Sequence, residues 1–276
     1  MGVQNKDITV IIPLYNGEKT IEKIFDAIVN QTKAEFIKEI IVINDGSTDS
    51  SKKIVEEYKK TSPISINLIN CKNGGVSKAR NVGLQNAKTK WVALCDSDDE
   101  WFLDKIEHQA NIINANPDID FLGGNHVEKT QKIFFQSLYG IKRITVKDLC
   151  LKVLPQTSTA IFKTCIFNEI GGYDETQKYA EDGNYFMKIA AKYGYYYDSQ
   201  QVVTYGDGKS GFGESGLSAN IGKMHEGLVK NINEMKDMGY ISYSFFLWSI
   251  FIERIKFLRR KIIVYFRKKN RHIGEM

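Results

Sequence analysis

The chain has 276 residues, 42% hydrophobic and 26% charged, which gives room for one large domain or two small ones and is too apolar for global disorder. Its 4 Pro and 22 Gly exclude a collagen-like or proline-rich stalk, and its 4 Cys, far apart and without a Cys-x-x-Cys pair, argue against a zinc ribbon or a disulfide scaffold and for a reducing compartment. The net charge of +5 belongs to the tail: residues 253–276 carry nine Lys/Arg and two acids, the rest of the chain 29 basic and 31 acidic residues, so the body has no basic excess with which to read a nucleic acid.

The first 125 residues alternate strand and helix. Residues 8–13 (ITVIIP) are a β-branched, continuously apolar run, which suits a parallel strand buried on both faces. Thr20 is placed to cap a helix with Ile21, Ile24, Phe25 and Ile28 on one face. Residues 40–43 predict a second strand, ending at Asn44-Asp45-Gly46-Ser47, and a helix follows over about 49–60. Residues 64–69 predict a third strand, and Gly74-Gly75 open a helix running to Ala87. Residues 91–95 predict a fourth strand, ending in Asp96-Ser97-Asp98-Asp99; a helix over 103–114 and a strand over 119–122 complete this half. Such alternation implies a doubly wound α/β sheet. From Phe134 onward the pattern is less regular: residues 157–162 are strand-like, 165–170 helical with a stop at Gly171-Gly172, and Glu181-Asp182 begin a helix carrying Phe186, Ile189 and Ala190. Residues 206–216, with five glycines, read as a lid loop.

Polar residues gather at the C-terminal ends of the first strands: Tyr15-Asn16, Asp45, then residues 96–99. Asn, Asp, Gly and Ser are turn formers, but three such clusters on one edge of a parallel sheet also mark where ligands bind.

Five segments, in this order and spacing, carry a resemblance: VIIPLYN (10–16), INDGSTD (43–49), NGGVSKARNVGL (73–84), the Asp-Ser-Asp-Asp run (96–99), and GGYDE (171–175) followed by Glu181-Asp182. Together they resemble the family 2 inverting glycosyltransferases of the GT-A fold over roughly residues 7–220. The resemblance implies an open, twisted, mostly parallel sheet flanked by helices. It divides the chain into a catalytic domain over 1–220, with a nucleotide-binding half over about 7–125 and an acceptor-side half over about 126–220, and a basic helical segment over 221–276. One departure is visible: the family often has two acids before the Gly-Ser, and here the first is Asn44, so Asp45 is expected to keep the contact.

A nucleotide-sugar donor offers a base, a ribose, a diphosphate and a sugar. Tyr15 presents a flat face on which a base can stack, and the Asp45 carboxylate can accept from a base-edge donor such as uracil N3–H. The resemblance assigns these roles to the segment holding Pro13, Tyr15 and Asn16 and to the Asp45 turn. It places Arg80 near the nucleotide, where a cation can face the diphosphate; Lys78 reads as a solvated residue. In the acidic run it directs Asp96, with Ser97 beside it, to the ribose and Asp98 to a divalent cation, Mg2+ or Mn2+. A hard cation bridging the phosphates needs only one or two protein carboxylates. Asp99 is open to a second role, capping the helix that follows. Inversion at the anomeric carbon requires one in-line displacement and one general base; the resemblance puts that base on Asp182, with Glu181 as the second carboxylate of the catalytic pair.

Leu247, Phe251, Ile255, Leu258, Ile262 and Phe266 recur at steps of three and four, with Lys256, Arg260, Lys261, Arg267 and Lys268 mostly off that stripe. This is the pattern of an interfacial helix on an anionic leaflet, or of a helix packed on the domain or on a second copy. The longest apolar stretch, 245–252, is far below the roughly 20 residues of a membrane span. Residues 1–7 are polar and give no signal-peptide pattern, so a cytoplasmic protein, peripheral on the inner face of the plasma membrane, is expected. The function implied is transfer of a hexose-type sugar from a nucleotide sugar, UDP-linked by resemblance, to a hydroxyl of a glycan or lipid-linked acceptor in bacterial surface polysaccharide synthesis (O-antigen, lipopolysaccharide or capsule). A sugar-nucleotide pyrophosphorylase would want a glycine-rich basic loop where Pro13-Leu14-Tyr15-Asn16 stands. A nicotinamide dehydrogenase would want G-x-G-x-x-G there. A non-catalytic scaffold would have no use for Asp98 and Asp182 together.

Overall fold

In the computed structural model residues 2–206 and 217–274 are described, with residue 218 and residues 268–274 as backbone only. Most of the lid loop expected over 206–216 therefore lies outside the described residues, as does the side chain of Lys268. In chain order the elements are β1 (Ile8–Leu14), α1 (Ile21–Val29), β2 (Ile37–Asp45), α2 (Ser51–Tyr58), β3 (Ser65–Cys71), α3 (Val76–Asn86), β4 (Trp91–Leu94), β5 (Glu100–Trp101), α4 (Lys105–Ala115), β6 (Phe121–Asn125), β7 (Lys132–Ile133), β8 (Gln136–Ser137), β9 (Ile141–Arg143), α5 (Val146–Leu151), β10 (Ile161–Lys163), α6 (Cys165–Ile170), α7 (Glu181–Lys192), β11 (Tyr195–Gln201), β12 (Val203–Thr204), α8 (Ile221–Asp237) and α9 (Tyr243–Gly274).

Eight strands form one sheet in the order β3-β2-β1-β4-β10-β6-β11-β9. β1, β2, β3 and β4 run parallel, as do β6 and β11, while β10 is antiparallel between β4 and β6 and β9 is antiparallel at the edge. The continuous apolar runs of β1 and β4 are buried at every position. Their alternate residues feed two cores: Ile11, Val92 and Leu94 pack on one side of the sheet, Val10, Ile12, Trp91 and Ala93 on the other. α3 lies so close on β1 that a Cβ at Gly83 would stand 2.4 Å from Ile11 Cγ2.

Three local expectations change. Thr20 precedes α1 but makes no side-chain cap; its hydroxyl donates to the Ser97 carbonyl at 2.5 Å and the Gly17 carbonyl at 3.3 Å, tying the α1 entry to the acidic turn. Residues 157–159 form a 3-10 turn, and only Ile161–Lys163 pair as a strand, because Ser158 and Thr159 spend their polar groups on the acidic turn and on Gly124 rather than on a ladder. α9 packs on α8 and α5 through buried Ser249 and Glu253, with Phe246 and Ile250 half-buried, and its other face is open. The stripe read in the sequence is that open face: Leu247, Phe251, Ile255, Leu258, Ile262 and Phe266 are each about half exposed or more. Lys256 and Arg260 turn toward the body, to the Leu151 carbonyl and to Glu253. No helix among the described residues is long and apolar enough to cross a membrane.

Candidate active site

The C-terminal ends of β1, β2 and β4 and the start of α7 open on one cleft of about 680 Å³, the size of a small-molecule site. Pro13, Tyr15, Asp45, Arg80, Asp96, Ser97, Asp98, Glu181 and Asp182 all line it. Nine of the ten residues expected at the site are thus brought together from five separate segments. Asn16 is not on the cleft wall. It sits at φ +51 and accepts from the Thr48 N–H at 2.8 Å through Oδ1, while its own N–H donates to Ser47 Oγ at 3.1 Å. It holds the β1 and β2 loops together and so sets the place of Tyr15.

Asp45 is buried, and its two oxygens accept the Gly74 and Gly75 N–H groups, each at 2.8 Å. Gly75, at φ +88, turns the chain into α3, a left-handed geometry that favours glycine. The acid at the end of β2 thereby fixes the approach to the helix that carries Arg80. Each carboxylate oxygen keeps a further lone pair for a ligand. Asn44 supplies no charge: it donates to Asn70 Oδ1 at 2.9 Å and accepts the Ser47 N–H at 3.0 Å, which closes the turn.

Arg80 is the hub. Only 4% exposed, it reaches Asp96 Oδ1 through Nη2 at 2.8 Å and Glu181 Oε1 through Nη1 at 3.1 Å, and its guanidinium carbon stands 5.3 Å from the centre of the Tyr173 ring. Its buried Nε has no partner among the described residues. Lys78 is exposed and does not line the cleft.

The helix start at Glu181-Asp182 is built under backbone strain. Ala180, just before it, has φ +54, which L side chains rarely adopt. Its carbonyl accepts from Asn231 Nδ2 at 2.8 Å, and Asn231 Oδ1 in turn accepts from Gln177 Nε2 at 2.7 Å. α8 therefore clamps the turn that presents the two acids. Burial, then the charge of Asp182, push the Glu181 carboxyl up to about 7, with Arg80 opposing. Burial also raises Asp182, again against Arg80, and its Oδ1 accepts the Gly183 N–H at 2.7 Å.

Asp99 does not cap the next helix. It is fully buried and accepts from Ser158 Oγ at 2.6 Å, Gln156 Nε2 at 2.5 Å and the Gly206 N–H at 2.9 Å, which locks the acidic turn in place. Burial first, then the charges of Asp96 and Asp98, push it up to about 7. No group of three or more His, Cys, Asp or Glu among the described residues could hold a metal by itself. Asp98 and Asp96, both on the cleft wall, are carboxylate oxygen donors of the kind a hard divalent cation prefers.

Sequence reasoning missed His126, Gln156, Thr157, Tyr205, Leu217 and Met224 on the cleft wall. His126 had a signal, since it follows β6 on the same edge of the sheet as the other clusters; its ring meets that of Tyr205 at 5.9 Å between centres, and burial lowers its pKa. The others come from irregular segments or from α8 and its approach, where no pattern pointed.

An open sheet with one antiparallel strand at its middle, an acidic turn after the fourth strand and a carboxylate pair facing it from a helix start make up the arrangement of a glycosyltransferase. The family model described as Glycosyl transferase family 2 matches residues 9–168, and the chain belongs to that family. An uncharacterized glycosyltransferase of Rickettsia prowazekii is 30% identical over 207 residues, 71% of this chain and 62% of that protein. The minor teichoic acid biosynthesis protein GgaB of Bacillus subtilis is 39% identical over 95 residues, 34% of this chain and 11% of that protein. The chain thus spans less than two thirds of the length of either. Among solved structures, S. aureus TarS 1–349 in complex with UDP-GlcNAc superposes with a TM-score of 0.59 at 24% identity, covering 82% of this chain and 66% of that one. The mannosyltransferase PcManGT of Pyrobaculum calidifontis in complex with GDP-Man and Mn2+ superposes with a TM-score of 0.65 at 19% identity, covering 91% and 74%. Those two likenesses are of fold, and the fold is GT-A.

Proposed function

We propose that this chain transfers a hexose-type sugar, with inversion, from a nucleoside-diphosphate sugar to a hydroxyl of a glycan or lipid-linked acceptor in the synthesis of a bacterial surface polysaccharide. The observation that carries this is the Arg80 hub, which joins the nucleotide-side Asp96 to the helix-start Glu181 across a single cleft. Tyr15, half exposed at the cleft rim, stacks the base, and Asp45 meets its edge. Arg80 orients Asp96 toward the ribose beside Ser97. Asp98 holds Mg2+ or Mn2+; when bound, the cation stabilises the charge on the leaving diphosphate. Asp182 takes the acceptor hydroxyl proton as that oxygen forms its bond to the anomeric carbon and the bond to the diphosphate breaks on the opposite face, so one displacement inverts the centre. Its raised pKa makes it a stronger base. Glu181, bound to Arg80, acts by holding the nucleotide side in place.

The uridine preference draws support from TarS, which was crystallised with UDP-GlcNAc; PcManGT, in complex with GDP-Man and Mn2+, supports the cation and has a guanosine donor on the same fold. GgaB supports a role in surface polymers. The open apolar face of α9, with exposed Arg254, Arg259 and Lys261 beside it, supports a peripheral place on the anionic inner leaflet of the plasma membrane. The test is thermal: UDP with Mn2+ raises the unfolding temperature by mass action, and Asp98→Ala or chelator removes the effect. Stronger protection by GDP or dTDP would overturn the uridine assignment, and no protection by any nucleotide would overturn the site.

A further inference from the structure

A two-strand hairpin, β7 and β8, projects from the segment that follows the cleft residue His126, and its tip is Phe134-Phe135. Phe135 is 86% exposed and Phe134 47%. Phe134 has φ +54, in the left-handed region where a hairpin loop takes Gly or Asn. A bulky apolar residue held in a strained conformation at an exposed tip contributes nothing to the core, and strain of this kind concentrates where a segment has a job. The tip does not stand alone. The Phe134 ring meets the Trp248 ring of α9 edge-on at 5.4 Å between centres, and Trp248 sits at the head of the open stripe that continues through Phe251, Ile255, Leu258 and Ile262. Tyr139, 67% exposed, follows the hairpin.

The charge around this surface is mainly positive, although Glu128 and Asp148 flank the hairpin segment. Residues 129–147 hold Lys129, Lys132, Lys142, Arg143 and Lys147 and no acid. α9 carries a single acid, Glu253, which is buried and paired to His225 and Arg260. Aromatic and aliphatic residues flanked by cations fit a layer with an apolar interior and an anionic surface; a second copy of this chain would bring the same positive charge against itself.

We infer that the Phe134-Phe135 tip and the outward face of α9 form one surface that inserts into an anionic membrane leaflet, with the hairpin as its deepest point, beside the cleft wall at His126. This deepens the membrane placement proposed above and rests on it. A leaflet bound there delivers a lipid-linked acceptor to the rim of the cleft without the acceptor leaving the bilayer.

The experiment uses the full chain and vesicles of phosphatidylcholine mixed with phosphatidylglycerol, against phosphatidylcholine alone. Of the 3 Trp, Trp91 and Trp101 are buried and only Trp248 is exposed, so a blue shift of emission on adding vesicles reports insertion at this face. The hairpin variant is Phe134→Gly with Phe135→Ser, which suits the left-handed backbone and so preserves folding. The stripe variant is Leu258→Glu with Ile262→Glu. The expected result is wild-type binding to the anionic vesicles with a blue shift, and about a tenfold or greater loss of binding in the hairpin variant, while UDP protection stays unchanged in both variants. If the stripe variant loses binding and the hairpin variant does not, α9 alone is the anchor and the inference is overturned. If the wild type ignores anionic vesicles, or elutes as a dimer with Trp248 emission already blue, both the inference and the membrane placement fall, whatever UDP protection shows about the cleft.

Discussion

Arg80 shows why the site is a network rather than a set of independent ligands. A buried guanidinium is tolerable only if its charge is matched, and Asp96 and Glu181 match it from opposite walls. Burial raises both adjacent acids and Arg80 opposes it at both; they differ in that Glu181 is bonded to Arg80 directly. Asp182→Asn keeps the shape and removes the proton acceptor, so transfer falls about 100-fold or more while UDP binding stays near wild type; a mild effect here with a crippling one in Glu181→Gln would exchange the roles. The pH profile separates them further. A base must be ionised, so activity falls as pH drops through the Asp182 pKa, which burial has lifted above the usual value. Glu181→Gln frees Arg80 from the acid it is bonded to, and Arg80 is the group that lowers the Asp182 pKa, so the acid limb of kcat/KM moves to lower pH.

Lys105 is the residue with an evident energetic cost. It is fully buried, its ammonium bonded to Gln109 at 2.6 Å and 4.1 Å from the centre of the Trp101 ring, and burial lowers its pKa to about 7. Between that value and the ordinary lysine range the unfolded chain binds more protons than the folded one, so stability rises with pH across the window. Lys105→Met therefore stabilises by about 1 kcal/mol or more near neutrality. The gain in melting temperature shrinks as pH approaches 10, and an equal gain at both pH values would contradict the assignment.

Among the elements, those that the sequence shows best are those with one clear period. β1, β2, β4 and α1 were legible because buried parallel strands are continuously apolar and a surface helix is amphipathic, and residues 165–170 and 181 onward announce their helices with stop and start signals. The missed strands share a cause. β9, β11 and β12 are edge or polar strands; YYYDSQQ in β11 has no apolar alternation to read, and β10 is three residues long. α5 opens at a capping box between Thr145 and Asp148, a local signal that went unread, whereas α8, capped by Asn220, falls in the helical segment expected over 221–276 but without its own bounds. α8 matters most, because its Asn231 is fully buried and bonds Ala180 and Gln177 beneath the turn that carries Glu181 and Asp182. Asn231→Ala removes the bonds to Ala180 and from Gln177, although the Ala180 carbonyl keeps the Asn184 N–H and Gln177 keeps the Tyr179 carbonyl, and costs about 1 kcal/mol for each bond lost. It lowers kcat as well, because the turn carrying Asp182 loses its clamp. Differential scanning calorimetry and steady-state kinetics check the two effects, and a loss of stability with kcat intact would show that the clamp serves only the fold.

For the molecule as a whole, the cleft residues were legible because the sheet gathers strand ends on one edge, where motifs far apart in the chain become neighbours. Two things were hidden. Asp45 and Asp99 read as ligands or caps, yet each also organises a turn, a role that no spacing rule distinguishes. The tail offered a stripe with no indication of which way it faces. The structure turns it outward while the opposite face of α9 joins the body, so deleting the chain from Ile241, itself buried, exposes α8 and lowers the melting temperature irrespective of any membrane. Charge substitutions on the stripe leave that temperature unchanged and are the cleaner probe.

The central claim is that one cleft binds a nucleotide sugar through a cation and releases its diphosphate by a displacement that Asp182 drives. Release of nucleoside diphosphate from a panel of nucleotide sugars, with a glycan or lipid-linked acceptor present, measures this most directly. The expected result is release from a UDP-sugar by the wild type with Mg2+ or Mn2+, none in chelator or with Asp98→Ala, and a rate about 100-fold or more lower with Asp182→Asn. Release that persists with the cation removed, or that Asp182→Asn leaves at the wild-type rate, would contradict it.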